Sequence, residues 1–320
     1  MLRRLAGSWW LRLAVTAAIL WWLSSRLDMR AAVAAIAAIS LPHLALVLAL
    51  VAVDRALMIW RWLLLLRAAD VQVSAGDASR LFLVSSFVGS FLPAGVGGDA
   101  ARAWGLSQMT AKLGDALASV VVDRVLGVLS LAAMGVVGLA VSAPGNAAGR
   151  IVAAVAVLAA ACVAAFWADA LLRWAVPDHR HRGPLARRVL RLADAVARYR
   201  EHRGALASVM AWSLAVQLLR ITQAYVLGLG LGMQVPFSYY LFFMPLGLLM
   251  LLVPVSVSGF GVPQGVIVWL LRPMGVPDAL SFALSTLIVL TGLAGNLPGL
   301  WLWLRTAPPA ARPPLGSPQS

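Results

Sequence analysis

The chain has little of what soluble catalysis draws on. Its single cysteine, Cys162, lies in an Ala-rich apolar run. That excludes an intramolecular disulfide and leaves no thiolate cluster for a metal. There are only four histidines, and His179, His181 and His202 fall in or beside a basic loop where solvation accounts for them. No metal site and no cofactor are expected. Charged residues make up 12% of the 320 positions and hydrophobic ones 62%, a balance that argues against a soluble globule. Acids are scarcer than bases, 12 against 26. The bases gather in loops and at the ends of apolar runs, so the formal charge of +14 reads as a positive-inside bias and not as a nucleic-acid footprint.

What the chain has in abundance is apolar runs near the length of about 20 residues that spans a bilayer. They are continuous and not alternating, which excludes a β-barrel reading. The expected fold is all-α: a polytopic helical membrane protein of about 7–8 membrane helices plus re-entrant or broken helices. Residues 1–304 form one transmembrane domain, and the Pro- and Ala-rich tail 305–320 is expected to be disordered. The spans are read as Ser8–Leu23, Ala35–Leu57, Leu117–Val141, Ile151–Trp167, Ala205–Leu227, Phe237–Val253 (interrupted by Pro245 and Gly247) and Leu280–Leu304. Asp54, Arg55, Arg61 and Arg67 are placed at the far end of the second. Leu81–Leu92 is short and is stopped by Pro93. The basic segment 177–204 and the N-terminus are assigned to the cytoplasm of a bacterial inner membrane. Within that segment Leu185–Tyr199 reads as an amphipathic helix resting on anionic headgroups.

The stretch from Pro93 to Arg102 breaks the apolar pattern with a proline, three glycines, an acid and a base. Irregular backbone at membrane depth is tolerated only inside protein or along a cavity. Gly97 and Gly98 allow tight turns, and a new helix is expected to begin near Gly98 or Asp99, its free N–H groups suited to a phosphate. Asp99 and Arg102 are three apart and share a helix face. Arg102 carries the guanidinium fork that fits a phosphate. The bland alternative for Asp99 is an internal ion pair that holds a hairpin together. Asp123 and Arg124 are adjacent, so they should find different partners: Arg124 could join Arg102 in an electropositive pocket, and Asp123 could offset Arg102 or Arg55. A second Pro- and Gly-containing stretch follows Pro254. Its Ser256, Ser258, Gly259 and Gly261 could supply hydroxyl and backbone donors. Paired broken segments of this kind line transport sites, and they raise an inverted repeat. No strand precedes the first glycine motif and no Lys-Ser/Thr follows it, which excludes a phosphate loop.

Three motifs together resemble one family: Arg61-Trp62 ahead of Leu63–Leu66, Pro93 through Gly97-Gly98-Asp99 to Arg102, and Val122-Asp123-Arg124-Val125-Leu126-Gly127. The late Ser256–Gly261 segment is a fourth. The chain resembles, from about residue 10 to 304, the flippase-like integral membrane family that includes the transmembrane domain of lysylphosphatidylglycerol synthase. In the fused synthases that domain is associated with moving an aminoacylated phospholipid across the bilayer, while a soluble domain transfers the aminoacyl group. The longest soluble loop here leaves no room for such a domain. The resemblance therefore implies a free-standing member that handles lipid without aminoacyl transfer. Where the family pattern has a Gly pair followed by Arg-Glu, this chain has Pro263 and Gln264, which implies a different substrate or altered coupling.

The leading expectation is a flippase or lipid transporter that moves an anionic or polar lipid between leaflets. The candidate substrate-binding residues are Pro93, Gly97, Gly98, Asp99, Arg102, Asp123, Arg124, Ser256, Ser258, Gly259, Gly261 and Gln264, with no catalytic residue. The expected partners are membrane lipids with an anionic headgroup and an enzyme of lipid biosynthesis. Two other classes remain: an accessory or lipid-binding protein of polar-lipid, glycolipid or hopanoid metabolism, and a membrane-embedded transferase with a lipid-linked donor. The transferase would need Asp99 or Asp123 as its acid or base.

Overall fold

The structure is a computed structural model that describes residues 28–91, 96–110, 113–142, 148–167, 170, 184–250 and 262–305. The first expected span, Pro93, Ser256, Ser258, Gly259, Gly261 and the tail lie outside the described residues. The described residues form α-helices with short 3-10 turns. Four stretches are long and apolar enough to cross a membrane: Leu41–Ala68, Leu113–Ser142, Arg203–Gly230 and Asp278–Arg305. Large apolar side chains such as Leu48, Trp104, Val136, Trp269 and Leu290 face outward, as a lipid solvent allows. The protein is a multi-pass helical membrane protein.

Helix α1 (Met29–Ala37) is capped by the Asp28 carboxylate, which accepts from the Ala31 N–H at 3.0 Å. Helix α2 (Leu41–Ala68) starts with Pro42 in its first turn, where the missing N–H costs nothing. It does not end near Leu57 as expected. It continues for three more turns and takes Asp54, Arg55 and Arg61 into its interior, because each finds an opposite charge there.

Helices α3 (Ala75–Ser90) and α4 (Val96–Thr110) form an antiparallel hairpin of two short helices. Ser74 caps α3 by accepting from the Asp77 N–H at 3.0 Å. The close approach of the two helices needs glycine. A methyl group added at Gly98 would lie 2.7 Å from the Ser85 carbonyl oxygen and 2.9 Å from the Gly89 Cα. Helix α4 begins at Val96, slightly before the expected start near Gly98 or Asp99.

Helix α5 (Leu113–Ser142) is the central element and touches α2, α4, α6 (Ala148–Phe166), α7 (Pro184–Arg198), α8 (Arg203–Gly230) and α9 (Phe237–Met250). Gly138 lets α9 approach so closely that a Cβ there would collide with the Leu241 carbonyl. Helix α9 stays helical through Pro245, so the expected interruption is absent at that residue; Gly135 of α5 leaves room beside the proline ring. Helices α2 and α8 run antiparallel, with His43 beside Gly230, Asp54 beside Arg220 and Arg61 beside Ser213. Helix α10 (Val262–Leu271) packs on α11 (Asp278–Ala294). The last span is broken at Gly295–Asn296, and α12 (Leu297–Arg305) turns onto α3, where Gly299 meets the Leu83 backbone.

The amphipathic helix α7 is present, and the C-terminal half of its apolar face packs on protein. Ala195, Val196 and the following Tyr199 are buried against Leu65, Ala118, Val122 and Val209. Burial pushes the Tyr199 phenol up from its ordinary value. The helix is fastened by an Arg198–Asp115 ion pair. A protein surface offers this apolar stripe tighter packing than a headgroup layer does.

Candidate functional site

A cavity of about 440 Å³ lies between α2, α3, α4, α5, α8, α9 and α11. That volume falls in the range of small-molecule sites. Its wall carries five arginines (Arg55, Arg61, Arg102, Arg124, Arg220) and three aspartates (Asp54, Asp99, Asp123). These charges form two separate groups.

The first group joins the hairpin to the central helix. Arg102 of α4 places Nη2 3.2 Å from Asp99 Oδ1 and 3.2 Å from Asp123 Oδ2. Arg61 of α2 places Nη2 2.8 Å from Asp123 Oδ1 and donates through Nη1 to Ser213 at 2.9 Å. Arg124 donates through Nε to Asp99 at 2.5 Å. Asp123, Arg61 and Arg102 are each at most 4% exposed, whereas the Arg124 side chain is 49% exposed. Unpaired charges so deeply buried would be prohibitive, so the pairs are obligatory. The Arg102 guanidinium also sits 5.0 Å from the Trp62 ring centre and 5.2 Å from that of Phe82, which fixes its plane.

The second group lies about two helical turns away along α2. One carboxylate, Asp54, serves two guanidiniums: Arg220 Nε at 2.8 Å and Arg55 Nη1 at 3.1 Å. Arg55 also donates to the Gly292 carbonyl of α11 at 3.2 Å. Between the groups Gln217 donates to Ser130 Oγ and the Gly127 carbonyl, both at 3.3 Å.

Of the candidate residues, Gly98, Asp99, Arg102, Asp123 and Arg124 line this cavity. Asp123 and Arg124 do point to different partners. Asp123 offsets Arg102 and Arg61, while Arg55 is matched by Asp54 instead. Gly97 is half-buried beside the wall without lining it. Gln264 is fully buried on α10 and is not part of the wall. The second group, Asp54, Arg55 and Arg220, was not foreseen as a site. A usable signal was present: Arg220 is the only charge between Arg203 and Gly230 other than Arg203 itself, and a lone charge within a span marks function by default.

The sequence model described as the lysylphosphatidylglycerol synthase TM region matches residues 9–299. The chain belongs to this family. No curated protein matches it. The match is to the family's membrane region, which is associated with lipid flipping and not with aminoacyl transfer. Among the described residues no group of three or more His, Cys, Asp or Glu could hold a metal ion.

Proposed function

We propose that this chain is a flippase or lipid transporter that moves an anionic or polar lipid between leaflets, with the headgroup held in the cavity and the tails left in the bilayer. The observation that carries this is the excess of arginine over aspartate in the cavity wall. A site built only to neutralise its own charges would balance them. Arg124, the most accessible guanidinium of the first group, receives the headgroup anion in exchange for Asp99. Arg102 is the fixed cation behind it, and α4, which begins at Val96, turns the positive end of its dipole toward the anion. The serines and glycines of the 256–261 segment would complete the headgroup contacts. The membrane domain is residues 1–304, with the N-terminus and segment 177–204 on the cytoplasmic face.

Membrane lipids and an enzyme of lipid biosynthesis are the partners that go with this role. The transferase alternative is weakened by the same geometry. Asp99 and Asp123 are each held by two arginines, so the oxygens a group transfer would use are already committed to ion pairs.

The test is mass spectrometry of lipids that co-purify with the protein extracted in native membrane, for the wild type, Arg102→Ala and Arg124→Ala. An anionic lipid enriched in the wild type and lost in both folded variants is expected. Unchanged lipid content in the folded variants would sink the headgroup site.

A further inference from the structure

The second charge group is short of acceptors. Arg55 and Arg220 share the Asp54 carboxylate, one oxygen each. Both then turn a remaining donor toward the Met58 sulfur, Arg220 Nη2 at 2.8 Å and Arg55 Nη1 at 3.7 Å. A thioether is a weak acceptor for a guanidinium. Arg55 Nε is buried with no acceptor, and so is the Nε2 amide of Gln223, which lines the same wall one turn beyond Arg220. Two guanidiniums that share one carboxylate and a thioether leave the group one positive charge in surplus, which a second anion would match. The first group has the same surplus, three arginines to two aspartates. Asp54 and Arg61 are seven residues apart on α2, which sets the two centres about 10 Å apart along its axis.

Resting on the lipid-transport reading above, we propose that Arg55, Arg220 and Gln223 form a second anion subsite, and that the transported headgroup carries two separated anionic groups, one for each end of the cavity. The shared chemistry is a phosphate anion, and a lipid headgroup and free phosphate are its two sources. Arg55, Arg220 and Gln223 line the same cavity as Arg102 and Arg124, so one headgroup can reach both ends. A lipid with a single phosphate leaves one end short of its acceptor.

The experiment measures equilibrium binding to the purified full chain in neutral-lipid nanodiscs, with cardiolipin (two phosphodiesters joined by a glycerol) against phosphatidylglycerol (one). The wild type is expected to prefer cardiolipin by about tenfold, the worth of one additional charge-assisted hydrogen bond. Arg220→Gln is expected to abolish that preference while it retains phosphatidylglycerol binding. Arg124→Ala is expected to weaken both lipids. A preference carried by the extra acyl chains of cardiolipin would survive Arg220→Gln, and that result would overturn the proposal. Equal binding of the two lipids by the wild type would also overturn it, with the lipid-transport reading intact. Binding of neither lipid above phosphatidylcholine would instead count against the transport reading itself.

Asp54→Asn guards against misfolding of Arg220→Gln. It frees both arginines from their carboxylate and is expected to tighten cardiolipin several-fold, a gain that damage to the fold cannot produce. No gain in the folded Asp54→Asn protein would overturn the proposal. Adding millimolar inorganic phosphate separates the two sources. Phosphatidylglycerol binding by the wild type should stay unchanged, and strengthened binding would mean that a free anion fills the subsite.

Discussion

The two charge groups of the cavity are built in opposite ways. The first stands on a broken element: two short helices, a glycine contact between them, and Arg102 braced by Trp62 and Phe82. The second stands on two uninterrupted 28-residue helices, α2 and α8, whose antiparallel register alone brings Asp54 to Arg220. Charge can therefore enter a membrane domain without any break in the helix that carries it, provided a neighbour supplies the counter-charge at the same depth. The two groups also differ in exposure. The first holds Asp123 between two almost fully buried arginines, whereas Arg55 and Arg220 keep 18% and 27% of their side-chain surface. The first group should thus carry more of the stability.

The largest effects are expected when the shared carboxylate is removed from each group. Asp123→Ala strands Arg61 and Arg102 and is expected to cost about 3–5 kcal/mol, read as a large fall in the thermal midpoint in detergent. Asp54→Ala strands two better-solvated arginines and is expected to cost about 1.5–3 kcal/mol. Equal losses would mean that burial does not rank the two groups. Next comes the glycine contact. Gly98→Ala forces α3 and α4 apart and is expected to cost about 1–3 kcal/mol and to weaken lipid binding with it. A neutral result would deny that the hairpin is tightly packed. The smallest effect is expected from Arg124→Ala. Its half-exposed side chain should change stability by less than about 1 kcal/mol while lipid binding falls, so stability and binding separate at this residue.

The contrast also explains what was legible in the sequence. The helical membrane class follows from continuous apolar runs, and the first charge group is visible because Pro93 and three glycines interrupt such a run. The ion pair between Asp99 and Arg102 follows from their spacing on one helix. The second group is not visible locally. Arg220 stands out as a lone charge in its span, but no proline or glycine breaks the helix beside it or beside Asp54, and their pairing depends on which helix lies beside which. For the same reason α2 was ended too early, since charges were read as a span end when a partner helix makes them an interior feature. The docking of α7 was also hidden, because an apolar stripe on a basic helix does not say whether protein or lipid covers it.

The most direct test of the account is leaflet exchange of a labelled anionic lipid in proteoliposomes, with the wild type, Arg124→Ala and protein-free vesicles side by side. Exchange by the wild type that exceeds the vesicles, and falls back to their rate in folded Arg124→Ala, is the predicted result. Exchange that is equally fast in the wild type and the variant would contradict a headgroup path through this cavity.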